Sequence, residues 1–485
     1  MPPTETGVRH ETIIGLEVHV QLSTASKIFC ACAVAFGAPP NTRTCPVCLG
    51  LPGSLPVLNR RAVDLGVRTA LALGCRIQPE SQFHRKNYYY PDLPKNYQIS
   101  QYQYMDHPPL ATAGVLRFPF GNGLKEIGIR RVHLEEDTGK LVHVPGRSLV
   151  DYNRCGTPLM EVVTEPDLRS AEEARLFLTH LRALLQFAEV TSGRLEEGTF
   201  RCDANLSLRP PGGPYGTRTE IKNMNSLRSV ERALRFEEGR QREALARGED
   251  VIQETRHWDE DREITFASRE KEEAQDYRYF PEPDLVPLHV DPTWVERIRS
   301  GLPELPEARR RRYVETLGLP EHDAGLLTAT RAMAEFFEAT IRLFSKPKVA
   351  GNWLIGDIAA YLNAEGREID EVPIRPEHLA GLLALIDTGK ISGRSAKEIL
   401  EEMLRTGRPA EAIVQERGLA QISDEGTLDS VVQEVIAEHP GPAGDVRAGK
   451  DQAVAFLVGQ VMKKTRGRAN PTMVNRLIRE RLGAG

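Results

Sequence analysis

The sequence predicts a multidomain fold: an α+β N-terminal domain, then an all-α helical domain, then a small all-α tail domain. Three observations carry this reading. The chain has 485 residues, too many for one ordinary hydrophobic core. Roughly the first 290 residues alternate apolar and polar in strand fashion, and beyond about Glu304 the apolar spacing turns helical. Prolines 281, 283, 287 and 292 separate the two regimes, and Gly407 with Pro409 sets off the last helices. The expected domains are therefore 1–292, 293–408 and 409–485.

The elements follow in order. Ile14, Leu16, Val18, Val20 and Leu22 alternate with Gly15, Glu17, His19 and Gln21, which predicts a strand with one polar face. Asn59 caps a helix carrying Val63, Val67, Ala70 and Leu71, ended by Gly74. Over Ile129 to Asp137, Val132 and Leu134 share one face while His133, Glu135 and Asp137 share the other. Leu159 to Thr164 places Glu161 inside an otherwise apolar strand run, where a lone carboxylate is costly without a partner. Ser170 and Glu173 form a capping box before Leu176, Phe177, Leu181, Leu184 and Leu185. Arg201, Asp203, Asn205, Ser207 and Arg209 lie opposite Cys202, Ala204, Leu206 and Leu208. In the helical region, Leu326, Leu327, Met333 and Phe336 keep helical spacing. Pro376 opens a helix with Leu379, Leu382, Leu383 and Leu385, and Ser395 with Glu398 boxes Ile399, Leu400 and Met403.

Composition excludes several classes. With 27% charged and 40% hydrophobic residues and no apolar run near the roughly 20 residues of a membrane helix, no membrane span is expected. Met1 to Glu11 lacks the apolar stretch of a signal peptide, so a cytoplasmic protein is expected. A net charge of −5 argues against a surface coated by nucleic acid but allows a local basic patch. Seven cysteines in so long a chain do not make a disulfide scaffold.

The polar strand faces carry the chemistry. Glu17 and His19 stand roughly 6.6 Å apart along one strand; they form either a solvated edge or part of a cation site. With Glu135, Glu161 and Asp203 they offer hard ligands from four strands, which suits Mg²⁺, with Mn²⁺ also admitted by the histidine. Arg154, Arg201, Arg209 and Lys222 are candidates to neutralise phosphoryl oxygens. No P-loop, Rossmann glycine motif or H-E-x-x-H occurs. From His84 to Tyr104, His84, Arg85, Lys86 and Lys95 interleave with Tyr88, Tyr89, Tyr90, Tyr97, Tyr102 and Tyr104. Such a segment is either a hairpin with paired tyrosines or a stacking platform for an adenine or an RNA end. Cys30, Cys32, Cys45 and Cys48 have the spacing of a closed, structural zinc site; Cys75, Cys155 and Cys202 show no activating neighbour. Lys463, Lys464, Arg466, Arg468, Arg476, Arg479 and Arg481 face a single nearby acid, Glu480, which suggests either a polyanion partner or an acidic neighbour.

IGLEVHVQL (14–22), RKNYYYPDLPKNYQIS (85–100), HLEEDTGK (133–140), VDYNRCGTPLMEVVTEPD (150–167), RCDANLSLR (201–209) and DYRYFPEPDL (276–285) closely resemble the GatB family, which contributes one of the three chains of the GatCAB tRNA-dependent amidotransferases. FLVGQVMKKTRGRANP (456–471) resembles the family's tail. The resemblance spans nearly the whole chain and implies a cradle-shaped catalytic domain, a helical domain and a YqeY-like tRNA-binding tail. It implies an ATP-dependent ligase that acts on Glu-tRNA(Gln) or Asp-tRNA(Asn) in a heterotrimer with the amidase chain GatA and the small chain GatC. Carried over by motif, His19, Glu135 and Glu161 are expected to hold Mg²⁺ and the four cysteines Zn²⁺. Strand parity selects Glu135 over Glu136. Glu17, Asp203, Arg201, Lys222 and Arg154 are expected around the reaction. Arg85, Lys86, Tyr88, Tyr90, Lys95 and Tyr97 are expected at the nucleotide and tRNA end, and Lys463, Lys464, Arg466 and Arg468 at the tRNA body. Two rival readings are a non-enzymatic RNA-binding protein and a ligase using free ammonia.

Overall fold

The structure is a computed structural model that describes residues 10–102, 108–121, 123–195, 197–268, 277–419, 424–465 and 469–483. It divides into two compact units, Met1–Pro306 and Glu307–Gly485.

The first unit is built on a 12-stranded sheet. At its centre Glu11–Gln21 lies between Phe200–Arg209 and Pro158–Thr164, antiparallel to both. Outward on one side come Thr219–Met224, Glu254–Asp259 and Ile264–Ala267; on the other come Gly123–Glu136, Tyr97–Gln101, Phe83–Asn87 and Phe280–Pro281. One face is apolar. Leu16, Val18, Val20, Val132, Leu134, Met160, Val162 and Ala204 meet Val63 and Val67 of helix Arg60–Ala72, Phe177 and Leu181 of Ala171–Phe187, and Val230 and Leu234 of Leu227–Ala246 in one core. Because side chains alternate along a strand, burying these residues turns every intervening one to the other face.

Local signals act largely as read. Asn59 accepts the Arg61 N–H at 2.9 Å. Ser170 accepts from Glu173 N–H at 3.1 Å, but the Glu173 carboxylate returns to the N–H of Arg169, one residue before the cap. The first unit runs past 292 to Pro306, because helix Pro292–Ser300 belongs to the first core: Trp294, Val295 and Ile298 pack on it, and Trp294 Nε1 donates to Asp64 at 2.7 Å.

The second unit is helical. One apolar cluster runs from Tyr313 to Val414 and a separate one from Leu428 to Leu482. Helix Ala410–Arg417 thus packs with the residues before Gly407, not with the tail, since Ala410, Ile413 and Val414 are buried in the earlier cluster. Gly407, at φ +70°, ends the preceding helix Gly393–Thr406. That helix begins earlier than Ser395 suggests. Ser392 is the cap and accepts from the Ser395 N–H at 3.1 Å, so Ser395 sits inside the first turn. Among the described residues no helix is long and apolar enough to cross a membrane.

Candidate functional site

Register across the four central strands makes the site. Arg201 faces His19, His19 faces Glu161, and Glu161 faces His133. These four side chains form one row on the polar face, at the roughly 4.8 Å spacing of neighbouring strands. Asp203 and Glu17 face each other one step along. Glu135, two residues beyond His133 on the same face, completes a cluster with His19 and Glu161, whose ligand atoms all lie within 4.8 Å of one another. Its neighbour Glu136 lies apart from this cluster and pairs with Lys95.

The electrostatics describe a place for a cation. His19 Nε2 is 3.6 Å from Glu161 and 3.8 Å from Glu135. Burial and the nearby Glu161 and Glu220 charges push the Glu17 carboxyl up. Burial works against ionised Glu135 and Glu161, yet His133 overrides it and holds both below the usual carboxylate range. For His133 burial works downward, and Glu161 with Glu135 raises it to about 9. Its Nε2 is 3.3 Å from Glu161. Two buried carboxylates, Glu135 and Glu161, and the His19 imidazole fit a divalent cation by the chemistry of their donors. His133 is not among the ligands expected from the sequence. Only the strand register, which sets it opposite Glu161, singles it out.

The expected cationic clamp is arranged differently from a set of free guanidiniums. Arg201 donates to both oxygens of Asp137 at 3.0 Å, and Arg154 reaches the same carboxylate at 3.7 Å while donating to the Thr138 and Gly139 carbonyls. Burial would raise the Asp137 carboxyl, and the two guanidiniums outweigh it and hold it low. Lys222 lies 3.4 Å from Asp203 and 3.2 Å from Glu220.

The tyrosine segment is a hairpin in part, since Phe83–Asn87 pairs with Tyr97–Gln101. Tyr88 and Tyr102 turn to a distant segment. Tyr88 meets Tyr277 edge-on at 6.1 Å, Tyr102 stacks on Tyr279 at 4.0 Å, and Lys86 sits over Tyr277 at 4.8 Å. Arg85 is held by Glu282 at 2.7 and 2.8 Å and by Asp284, with its guanidinium over Tyr97. Lys95 is buried against Glu136. Arg85, Lys95 and Tyr97 therefore serve an internal ion-pair framework. Lys86 and Tyr88 join the aromatic group, and Tyr90 is exposed. Tyr104 lies outside the described residues.

Cys30, Cys32, Cys45 and Cys48 converge, with sulfurs within 4.8 Å of one another, and could hold a metal ion. A hydrogen bond from Cys30 pulls the Cys48 thiol down to about 4, and the same bond drives Cys30 up. Burial raises the thiols of Cys75 and Cys155 to about 12 and that of Cys202 well above its ordinary value, so none is poised as a nucleophile.

In the tail, acids earlier in the chain answer most of the described basic residues. Lys464 pairs with Glu434 and Glu438, Arg476 with Glu425, Arg479 with Asp451, and Arg481 with Asp429. Lys463 is exposed. Arg466 and Arg468 lie outside the described residues.

Comparison with known proteins agrees with this architecture. A family profile described as the GatB/GatE catalytic domain matches residues 12–296, and one described as a GatB domain matches 335–482. The chain is 55% identical over 480 residues to the B subunit of the aspartyl/glutamyl-tRNA(Asn/Gln) amidotransferase of Moorella thermoacetica, covering 98% of this chain and 100% of that protein. It is 53% identical over 479 residues to the protein of the same name from Carboxydothermus hydrogenoformans, covering 98% and 99%. For Geobacillus kaustophilus the figures are 52% over 475 residues, again covering 98% and 99%. A strand-borne acid and imidazole cluster, a four-cysteine loop and full-length similarity thus coincide in one chain, which belongs to the GatB/GatE family.

Proposed function

We propose that the chain is the GatB component of an aspartyl/glutamyl-tRNA(Asn/Gln) amidotransferase. It phosphorylates the side-chain carboxylate of misacylated Glu-tRNA(Gln) or Asp-tRNA(Asn) with ATP and amidates the product. A carboxylate is a poor electrophile toward ammonia. Transfer of the terminal phosphoryl group of ATP gives an acyl phosphate and ADP; ammonia then attacks the acyl carbon and inorganic phosphate leaves. The ammonia comes from glutamine hydrolysis in the partner amidase, GatA, and the small GatC chain completes the cytoplasmic heterotrimer. Residues up to Pro306 form the cradle domain, 307–419 the helical domain and the residues beyond Leu419 the YqeY-like tail.

The observation that carries this reading is the row His19, Glu161 and His133 with Glu135 beside it. His19, Glu135 and Glu161 would hold Mg²⁺, with Mn²⁺ able to replace it. When bound, the ion supplies positive charge to the transferring phosphoryl oxygens. Glu17 and Asp203 border the same face, and Lys222 beside Asp203 offers a cation to the substrate. Arg201 and Arg154, anchored through Asp137, set the positive rim next to Glu135. Such a site works by alignment and charge rather than covalent chemistry. Lys86 and Tyr88, with Tyr277 and Tyr279, offer stacking faces to the adenine of ATP or of the tRNA end. The four cysteines would hold a structural Zn²⁺.

The experiment is an assay of the purified heterotrimer on each misacylated tRNA with ATP and glutamine. Amide formation that needs ATP, tRNA and all three chains supports the reading. A chain that amidates free glutamate or aspartate, or binds tRNA without consuming ATP, would refute it.

A further inference from the structure

Lys27 is 1% exposed and among the largest fully buried side chains of the molecule. Its Nζ donates to the Cys48 sulfur at 3.6 Å and to the Tyr152 carbonyl at 3.2 Å. Among the described residues no carboxylate is in ion-pair contact with it. The Glu136 carboxylate lines the same pocket but is paired with Lys95, so the close partners of the buried ammonium are the Cys48 sulfur and the Tyr152 carbonyl. A thiolate supplies the missing negative charge.

The backbone holds Lys27 in this position. Its N–H donates to the Cys32 carbonyl at 3.0 Å, and the next N–H, of Ile28, donates to the Gly156 carbonyl at 2.9 Å. Gly156 has φ +80°, and a Cβ there would come within 3.4 Å of the Lys27 stem and 3.6 Å of Cys48. The stem is therefore packed between the cysteine loops and the turn that carries Tyr152 and Gly156.

We propose that Lys27 is an outer-sphere positioning residue of the four-cysteine centre. Its ammonium donates to the metal-bound thiolate of Cys48 and ties that ligand to the Tyr152 turn. This role rests on the reading of the cysteines as a zinc site. Four thiolates carry two negative charges beyond those a divalent ion neutralises, and Lys27 offsets one of them. Partners of this kind orient a ligand and tune its basicity, and their loss typically weakens metal binding about 10–100-fold.

The test uses the assembled complex. Lys27→Met keeps the stem and removes the charge; Lys27→Arg keeps the charge. Zinc content is measured first, then transfer of zinc to a competing chelator. The expected result is zinc in the wild type, a dissociation constant raised about 10–100-fold in Lys27→Met, and a smaller rise in Lys27→Arg. Equal retention by wild type and Lys27→Met would overturn the role of Lys27 and leave the zinc reading standing. A wild type without zinc would overturn that reading and the role with it. If Lys27→Met does not fold, the wild type answers alone. Acetylation of Lys27, followed by mass spectrometry, should be slow in the zinc-loaded complex and fast once a chelator removes the metal. Equal rates would refute the proposal.

Discussion

The two candidate metal centres of this chain are built in opposite ways. The cysteine centre draws its ligands from two short loop segments, 30–32 and 45–48, and takes little support from regular structure. The carboxylate and histidine centre draws its ligands from three strands, each held by register and by an apolar face buried against helices. The first would depend on a bound ion to hold its shape. The second has its shape from the core and needs an ion only for charge. Removing a ligand should therefore disturb stability in one centre and chemistry in the other.

The largest expected effect is in the sheet. Glu161→Gln keeps volume and removes a charge, so phosphorylation should fall by about 10²–10³-fold, as expected for losing several kcal/mol of charge stabilisation. The thermal unfolding midpoint should fall only modestly, because Met160 and Val162 still anchor the strand and His133 keeps Glu135 beside it. Single-turnover trapping of the acyl phosphate with hydroxylamine, without glutamine, measures this. Next is Asp137→Asn, which leaves Arg201 and Arg154 without their shared buried carboxylate. Because the two arginine side chains are 34% and 36% exposed, the loss should be about 1–3 kcal/mol, readable by urea unfolding, and would show that the rim of the sheet site is also structural.

Cys45→Ser should reverse the pattern seen for Glu161. Zinc content falls, and the unfolding midpoint of the first unit drops by more than about 4 °C, while turnover at saturating tRNA changes little. The smallest effect is expected at Lys463. Since Lys464, Arg476, Arg479 and Arg481 are already paired with acids, Lys463→Ala should reduce the salt slope of tRNA binding by about one unit with kcat unchanged. Truncation of the tail belongs after Leu419 and not after Arg408. The latter cut would strip Ala410, Ile413 and Val414 from the helical core.

What is legible in the sequence follows the same divide. Cysteine spacing is local, so the thiol cluster can be read directly. Strand parity is local too, which separates Glu135 from Glu136 and turns Glu17, His19, Glu161 and Asp203 to one face. Register is not local. Nothing near His133 says that it will lie opposite Glu161, and nothing near Asp137 says that two arginines will converge on it. Tyr277 and Tyr279 reach Tyr88 and Tyr102 across almost 200 residues of chain, so in sequence the tyrosine hairpin looks self-sufficient. Arg85 and Lys95 look like free cations because Glu282 and Glu136, their partners, come from other strands or turns. At Ser392 the difference is of another kind: Ser392 and Ser395 are both good caps, and the Ser392 hydroxyl takes the Ser395 N–H, so the helix gains a turn before Ala396.

If the cross-strand cluster is a divalent-cation site whose shape precedes the ion, an ion should bind it without help from the cysteine centre. A titration of the assembled complex with Mn²⁺, reading free ion by electron paramagnetic resonance, tests this most directly in wild type, Glu161→Gln and Cys45→Ser. One saturable site is expected in the wild type, with affinity weakened about 10-fold or more in Glu161→Gln and nearly unchanged in Cys45→Ser. Equal Mn²⁺ affinity in wild type and Glu161→Gln would contradict it.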